Sequence, residues 1–241
     1  MSPPPGFDTL TPLYHRPSPS PLQSWVEHAS HAADAPIALV SIVLDHTQQF
    51  PAHVGLPPGL QVSRATSCCD SFCQFVVKDT APLIITDALL DYSLPHNLID
   101  RLGIRAYVGL PLRVRGITVG TLCVLDTQRR DWNASLVDVL SPIADAIMRC
   151  LGDLPDMSGG DPTRRRAQDV EPVLRLMAAE SSGTLAAADI DLALSVLHQP
   201  LEVLRHLAGH GGLHGHLRER FGDGLDHWLA RLALRMSWSE A

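Results

Sequence analysis

Two apolar runs joined by a short turn constrain the fold of this chain more than any other feature. Residues 106–114 and residues 118–126 have the composition of strands, and residues 115–117 between them have that of a hairpin turn. Gly109 and Gly120 lie inside these runs, where glycine normally weakens a strand, so we expect a bulge or a close backbone approach at each. The pattern therefore predicts an antiparallel hairpin.

A second hairpin is predicted nearer the start of the chain. Residues 37–44 are a continuous apolar run rich in branched side chains, as in a central strand buried on both faces. Residues 45–47 predict a tight turn, and the alternation over residues 48–54 predicts the partner strand. The residues expected in the core of these two hairpins are Val40, Ile42, Leu110 and Leu122.

Shorter elements are predicted between the hairpins. Residues 67–77 have helical periodicity, with Ser67 or Asp70 as the candidate cap. Residues 82–86 predict a short strand, and residues 95–102 predict a short helix that Gly103 ends.

An amphipathic helix is predicted on either side of this region, at residues 22–33 and 135–151. Their apolar stripe includes Trp25, Leu136 and Ile143, which extend it beyond what a sheet can cover. We therefore expect a homodimer joined through these helices. The alternative is that helices later in the same chain fold back and cover the stripe.

Composition divides the chain into four parts. Residues 1–21 carry seven prolines and predict a disordered or polyproline-like arm, and residues 22–151 predict the main domain. Residues 152–163 form a linker dense in Gly, Pro and Asp, and residues 164–241 predict a helical C-terminal region. The helices expected in that region are at residues 170–179, 186–196, 201–208 and 225–236.

Charge and hydropathy exclude several classes of partner. The formal net charge is −7, whereas a nucleic-acid-binding protein normally presents a basic face. No apolar run approaches the roughly 20 residues that a membrane-spanning helix needs, and the N-terminus does not resemble a signal peptide. Five cysteines, an odd number, fit poorly with a secreted disulfide framework. We therefore expect a cytoplasmic protein that binds neither nucleic acid nor membrane.

Four sequence blocks resemble the GAF domain family of bacterial signalling proteins in their order and spacing. They are SFC at 71–73, PLIITDA at 82–88, RAYVGLPL at 105–112 and GTLCVLD at 120–126. The resemblance implies an α/β (α+β) fold with a central antiparallel sheet of about six strands and helices on both sides. The helices at 22–33 and 135–151 would cover one face, and the loops and short helices of residues 55–102 would roof a small-molecule pocket on the other.

The resemblance also implies a function and a set of pocket residues. We expect a small-molecule-sensing or regulatory protein that acts through protein–protein interaction in signal transduction, and not an enzyme. The signature of GAF domains that bind cyclic nucleotides is absent from the sequence, as are the cysteine contexts of those that attach bilins, so neither ligand nor cofactor is identified. The residues expected to line the pocket are Phe72, Cys73, Asp87, Asp91, Tyr92, Asn97, Arg105, Tyr107 and Leu110.

Three of these residues have two interpretations each. Asp87 and Asp91 would accept hydrogen bonds from a ligand or, as we favour, from loop backbone amides. Arg105 would bind an anionic ligand or form a structural ion pair with Asp87 or Asp91, and we favour the ion pair.

The cysteines give rise to two rival hypotheses of function. Cys73 and Cys123 are interpreted as small buried hydrophobic residues. Cys68 and Cys69 lie near the predicted start of a helix, where the helix dipole lowers thiol pKa, so a redox or metal role is an alternative. The first rival is thus a thiol-based redox sensor, or an oxidoreductase like the GAF-type methionine-R-sulfoxide reductases. The second rival is a structural interaction protein with a degenerate pocket.

A histidine-rich segment, residues 206–216, also has two interpretations. His206, His210 and His214 would share one face of a helix and could bind a metal ion, with His216 close by. The glycines between them instead favour a solvated turn, which is the interpretation we prefer.

Overall fold

Six strands pair into one antiparallel sheet in a computed structural model, which describes residues 21–152 and 162–209 and the single residue Leu232. The order across the sheet is β3-β2-β1-β6-β5-β4. The strands that come first and last in the sequence, β1 and β6, therefore lie side by side at the centre of the sheet. The strands are β1 (Ile37–Val43), β2 (Thr47–Val54), β3 (Ala65–Ser67), β4 (Leu83–Ile85), β5 (Ala106–Val114) and β6 (Ile117–Asp126).

Helices precede, interrupt and follow the sheet. Two 3-10 turns, Cys68–Asp70 and Ala88–Leu90, lie among them. The described α-helices are α1 (Pro21–Ala32), α2 (Pro58–Ser63), α3 (Cys73–Asp79), α4 (Asn97–Leu102), α5 (Ala134–Gly152), α6 (Pro162–Ser181), α7 (Ala187–Ser195) and α8 (His198–Gly209). None of the helices described in residues 21–152 and 162–209 is long and apolar enough to cross a bilayer.

Both predicted hairpins are confirmed. In the β5–β6 hairpin Val114 pairs with Ile117, so the turn contains only Arg115 and Gly116. Both turn residues have positive φ, at 51° and 81°, as a type I′ turn requires. In the β1–β2 hairpin Val43 pairs with Gln48, so the turn consists of residues 44–47 and is one residue longer than predicted.

The first face of the sheet packs against α1 and α5, as predicted. Alternate residues of each strand point to this face, and they form one apolar cluster with the two helices. The four predicted core residues are all buried there: Val40, Ile42, Leu110 and Leu122. Ile143 of α5 is buried in the same cluster, so it does not belong to the exposed stripe in which we expected it.

The second face is covered by the chain between β2 and β5. Helix α3 packs against β1, β5 and β6, and α2 packs against α6 and α7 from the C-terminal part. The predicted close backbone approach is present at Gly120, where a Cβ would lie 1.8 Å from the Ser41 carbonyl oxygen. At Gly109 the close neighbour is instead a side chain, since a Cβ there would lie 2.1 Å from the Tyr107 hydroxyl.

The helix predicted at residues 67–77 begins later than expected. Ser67 belongs to β3, which pairs with β2, and Cys68–Asp70 form a 3-10 turn, so α3 starts only at Cys73. The Cys73 amide donates to Ser71 Oγ at 2.9 Å, in place of the cap expected from Ser67 or Asp70. Pairing with a distant strand has overridden the local helical pattern here.

The C-terminal helices predicted at 170–179, 186–196 and 201–208 correspond to α6, α7 and α8. The chain divides into two compact units, one ending at Pro200 and the next beginning at Leu201. Residues 1–20 of the predicted arm at 1–21, residues 153–161 of the predicted linker, and His210, His214 and His216 lie outside the described residues, and of the helix predicted at 225–236 only Leu232 is described. Pro21, the last residue of the predicted arm, instead begins α1.

Candidate functional site

Polar side chains are buried on the second face of the sheet. The alternation that sends Val40 and Leu122 to the first face sends Ser41, Tyr107, Thr121 and Cys123 to the second. All four are essentially without solvent contact. Burying a polar group costs free energy unless the group is hydrogen-bonded. The hydrogen-bond partners of these four side chains therefore identify the centre of the group.

Cys73, the first residue of α3, is the centre of this group. The Thr121 hydroxyl donates to Cys73 Sγ at 3.1 Å and the Tyr107 hydroxyl donates to it at 3.4 Å. Cys123 Sγ lies 3.9 Å away. The Phe72 and Tyr107 rings meet edge to face with centroids 5.5 Å apart. Two thiols, two hydroxyls and two aromatic rings therefore fill the space between α3 and the sheet.

The two buried thiols differ in acidity. Burial opposes ionisation of Cys73, but hydrogen bonds from Cys123, Thr121 and Tyr107 lower the pKa of its thiol. Burial and the neighbouring Cys73 raise the pKa of Cys123 well above its ordinary value. Burial likewise raises the pKa of the Tyr107 hydroxyl. Cys73 is therefore the more acidic thiol of the pair.

Gln48 of β2 organises the adjoining part of the same face. Its Oε1 accepts from Ser41 Oγ at 3.0 Å and from Ser71 Oγ at 2.5 Å. Its Nε2 donates to Thr66 Oγ1 at 2.8 Å. The space expected to hold a ligand is thus filled by side chains that form hydrogen bonds with one another.

A second group lies at the surface, where the 3-10 turn after β3 meets the start of α8. His198 Nε2 lies 3.2 Å from Cys69 Sγ, and His198 Nδ1 lies 3.1 Å from Asp70 Oδ2. Asp70 is buried, His198 is half-buried and Cys69 is exposed. The ligand atoms of these three residues lie within 4.8 Å of one another, close enough to hold a metal ion.

Backbone and side-chain hydrogen bonds hold residues 195–199 against this turn. The Ser67 amide donates to the Val196 carbonyl at 2.7 Å, and the Gln199 amide donates to Ser67 Oγ at 3.1 Å. The Cys69 amide donates to Gln199 Oε1 at 3.1 Å. Asp70 Oδ2 accepts from Asn97 Nδ2 at 2.7 Å, so the carboxylate is fixed from two sides.

The pKa values of the surface thiols are raised. For Cys68 the chief cause is burial, which brings the pKa to about 11. For Cys69 the causes are burial and the neighbouring Asp70 carboxylate. The expectation that a helix N-terminus lowers their pKa was wrong, because both residues belong to the 3-10 turn and not to α3. The pKa of Asp70 is lowered, since hydrogen bonds from His198 and Asn97 outweigh its burial.

Two surface grooves lie away from both groups. One runs between α1 and the end of β6 and is lined by residues including Asp34, Asp126 and Arg130. The other runs between β5 and α5 and is lined by residues including Pro111 and Met148.

Comparison with known families identifies the fold. The model of the family described as the GAF domain matches residues 21–151, which is more than half of the chain. The chain belongs to the GAF domain family. A sequence comparison with curated proteins gives no match.

Solved structures similar to this GAF domain come from several kinds of protein. The GAF domain of a phosphoenolpyruvate-protein phosphotransferase from Coxiella burnetii is 17% identical, with a TM-score of 0.48 over 59% of this chain and 88% of that one. The type II free methionine-R-sulfoxide reductase of Thermoplasma acidophilum is 13% identical, with a TM-score of 0.46 over 56% of this chain and 93% of that one. The PixJ GAF domain of Thermosynechococcus elongatus is 19% identical, with a TM-score of 0.45 over 54% of this chain and 82% of that one.

The nine residues expected to line the pocket of this GAF domain lie in different places. Phe72, Cys73 and Tyr107 come together in the buried group beneath α3. Leu110 lies on the opposite face of the sheet, in the core against α1 and α5, because it is three residues from Tyr107 on the same strand.

Asp87 and Arg105 form an ion pair with each other. Arg105 donates through two nitrogens to the two carboxylate oxygens of Asp87, and this bond lowers the pKa of the Asp87 carboxyl. Asp87 Oδ1 also accepts from the Leu89 amide at 3.3 Å. The contacts are those of a structural bridge, the interpretation we favoured.

Asp91 and Tyr92 lie in the exposed loop before α4. Asp91 Oδ1 accepts from the Ser93 amide at 3.0 Å and from its hydroxyl at 2.6 Å. Tyr92 is 86% exposed and stacks on His96 with centroids 6.3 Å apart. Neither side chain is directed into the buried group.

Asn97 belongs to the surface group of the GAF domain and not to the buried one, since it donates to Asp70 and to the Ser195 carbonyl at 3.3 Å. Sequence reasoning missed the roles of Asp70 and His198. The adjacency of Cys69 and Asp70 was a weak signal, but His198 is 128 residues beyond Asp70 and no local pattern connects them.

Proposed function

We propose that this chain is a regulatory GAF-domain protein that acts in signal transduction by binding a protein partner. Its input is a small molecule that enters between α3 and the sheet, where Phe72, Cys73 and Tyr107 meet. The observation that supports this most directly is the attachment of the C-terminal segment to the turn beside that space, through the bond between the Ser67 amide and the Val196 carbonyl.

The attachment links the interior to the C-terminal helices. The space is filled by hydrogen-bonded side chains, so a ligand can enter only if α3 and the adjoining turn move. The end of β3 and the turn after it carry Ser67 and Cys69, whose amides donate to Val196 and Gln199. Ligand entry would therefore release residues 195–199, and release of a bound segment is a common way for a domain to signal.

Hydrogen exchange measured by mass spectrometry tests this link. Asn97→Ala removes the donors to Asp70 and Ser195, and it should speed exchange by about 10-fold in residues 65–70 and 195–199 together. The matched control is Asn133→Ala, which removes an exposed cap at α5. Unchanged exchange in either segment would contradict the proposed link.

A small-molecule input has its own test. Native mass spectrometry of the purified protein should show a retained small molecule, and Tyr107→Phe should reduce its occupancy because a buried hydroxyl is lost. A protein without any bound molecule, whose interior tolerates Tyr107→Phe without consequence, would favour the rival hypothesis of a structural interaction protein with a degenerate pocket.

The regulatory proposal excludes catalysis by the buried thiols. We expect no turnover of free methionine-R-sulfoxide with dithiothreitol as the reductant, because the sequence contexts of Cys68, Cys69 and Cys123 do not reproduce the cysteine arrangement of the GAF-type methionine-R-sulfoxide reductases. Turnover that disappears in Cys73→Ser would make the protein a reductase and would overturn the proposal.

The proposal includes a homodimer formed through the outer surface of α1 and α5. Val139 on α5 is 50% exposed, and Leu136 and Trp25 are half-buried at the edge of the core. Helices α6 and α7 pack against α2, on the other side of the sheet from this surface. An apolar surface of this kind usually marks an interface.

A further inference from the structure

Three side chains at the surface form a connected series from a thiol to a buried carboxylate. Cys69 Sγ lies 3.2 Å from His198 Nε2, and His198 Nδ1 lies 3.1 Å from Asp70 Oδ2. Asn97 Nδ2 donates to the same carboxylate oxygen at 2.7 Å. The imidazole therefore has a thiol at one nitrogen and an anchored carboxylate at the other.

The carboxylate determines which nitrogen of His198 carries the proton. An ionised carboxylate only accepts hydrogen bonds, so Nδ1 donates to Asp70 and the neutral ring presents the Nε2 lone pair to the thiol. A nucleophile, a base and a group that orients the base are the elements of an activated thiol site. We propose that Cys69 is a nucleophilic thiol that reacts with hydroperoxides, with His198 as its general base and Asp70 as the positioning residue. This activity is independent of ligand entry beneath α3.

The resting form of Cys69 explains why a base is needed. Burial and the Asp70 carboxylate raise the pKa of the thiol, so it keeps its proton at neutral pH. The titratable groups that the described structure places around it are Cys68 and Asp70 on its own turn and His198 from α8. Cys69 Sγ also lies 3.8 Å from Asp70 Oδ1, but the lowered pKa of that carboxyl makes it a weak base, so neutral His198 accepts the proton as sulfur attacks.

The surroundings of Cys69 favour a small oxidant over an acyl substrate. The Cys69 amide already donates to Gln199 Oε1 at 3.1 Å, so it does not serve as an oxyanion-hole donor. Both described grooves lie elsewhere, lined by residues of α1 and β6 or of β5 and α5. A hydroperoxide needs only access to the sulfur, and Cys69 is exposed.

The reaction balances with the peroxide alone. Cys69 sulfur attacks the terminal oxygen of the hydroperoxide, an S–O bond forms and the O–O bond breaks. The thiol proton passes to His198 Nε2 and from there to the leaving oxygen, which departs as water or an alcohol. The cysteine is oxidised by two electrons to the sulfenic acid, and the peroxide is reduced.

The test measures the rate at which hydrogen peroxide converts Cys69 to the sulfenic acid in the full chain, with dimedone as the trap and peptide mass spectrometry as the readout. At pH 7, His198→Asn should slow the reaction by about 100-fold, as expected for loss of a general base. His96→Asn, which changes a histidine in the loop before α4, should leave the rate unchanged.

The pH profile separates a base from a structural contact. In the wild type the rate should fall on acidification below neutral pH, because protonated His198 cannot accept the thiol proton. In His198→Asn the plateau near neutral pH should be lost, and the residual rate should rise steadily with pH as the thiol itself ionises. In Asp70→Asn the acid limb should persist with its midpoint at lower pH, because the lost carboxylate favoured the imidazolium.

Three outcomes would overturn the proposal. The first is an equal rate in the wild type and His198→Asn. The second is a wild-type profile without an acid limb, which is decisive even if the variants do not fold. The third is one Zn²⁺ per chain retained by the wild type and lost in both Cys69→Ser and His198→Asn, which would make the cluster a metal site. Each outcome leaves the hydrogen-exchange test of the C-terminal attachment unaffected.

Discussion

Leu122 of β6 has no solvent contact and lies in the cluster between the sheet, α1 and α5. Truncation to alanine leaves a cavity that close-packed neighbours cannot fill, so Leu122→Ala should lower the free energy of unfolding by about 2–5 kcal/mol. Denaturation by urea measures the change. Ile117→Ala, at an exposed position of the same strand, is the control. A loss below about 0.5 kcal/mol for Leu122→Ala would show that β6 faces the other way.

His53 at the end of β2 should make stability depend on pH. Burial and the nearby Arg64 lower the pKa of its imidazole from 6.5 to about 4. The unfolded chain therefore binds more protons between these values, and stability should fall as pH falls from about 6.5 toward 4.

The size of this effect should be about 1 kcal/mol between pH 6.5 and 5, after allowance for the partial solvent contact of the ring. His53→Gln should flatten the dependence, whereas His31→Gln, at an exposed position of α1, should not. Thermal unfolding across this pH range measures both. Parallel curves for the wild type and His53→Gln would contradict the assignment.

Individual site residues could be predicted only where local sequence brings them together. Phe72 and Cys73 are adjacent at the start of α3, and Tyr107 faces the same side of the sheet from β5, so their meeting followed from the family pattern. Leu110 is expected in the pocket but lies on the opposite face of the sheet, because residues an odd number apart on one strand face opposite sides. His198 reaches Cys69 through tertiary packing alone, which no local pattern contains.

At the scale of elements, the long strands and helices were predictable, and so were the short strand β4 and the short helix α4, but β3 and α2 were not. β5, β6 and α5 carry enough residues for their periodicity to be recognised. β3 has three residues, and it exists because residues 65–67 pair with residues 47–49 of β2. Helix α2, which starts at Pro58, is also short, and it is buried against α6 and α7. Such elements depend on their neighbours, so the isolated sequence does not specify them.

The contact between α6 and the β1–β2 turn leads to a prediction at this scale. Asp169 of α6 is buried and accepts from the Thr47 hydroxyl at 2.8 Å and from the His46 amide at 3.4 Å. Burial raises the pKa of this carboxyl, so its charged form opposes folding as pH rises through that pKa. Asp169→Asn keeps the accepting oxygen and removes the charge.

We therefore expect Asp169→Asn to raise the free energy of unfolding at pH 7 by about 1 kcal/mol. The gain should disappear near pH 3, where the aspartate is protonated in both folded and unfolded chains. Asp138→Asn, at an exposed position of α5, is the control and should change little. A destabilised Asp169→Asn at neutral pH would mean that the charge itself holds α6 in place.

At the scale of the whole molecule, the proposed homodimer can be tested without shortening the chain. Val139→Glu places a charge at the centre of the exposed surface of α5, and it should turn a dimer into a monomer at tens of micromolar. Ile117→Glu, at an equally exposed site on the β5–β6 hairpin, should leave the dimer intact. Sedimentation velocity measures both. A wild-type monomer at this concentration would refute the dimer.

The strand order also determines when the sheet can be completed during synthesis. β1 pairs with β2 as soon as both have left the ribosome, but its other edge waits for β6, whose last residue is Asp126. β1 is the apolar run IALVSIV, and an uncovered apolar edge is a template for association with other chains. The joining of β1 to β6 closes the longest loop in the sheet and is therefore the slow step of folding. We therefore expect the growing chain to be most prone to association with other chains while β1 has been made and β6 has not.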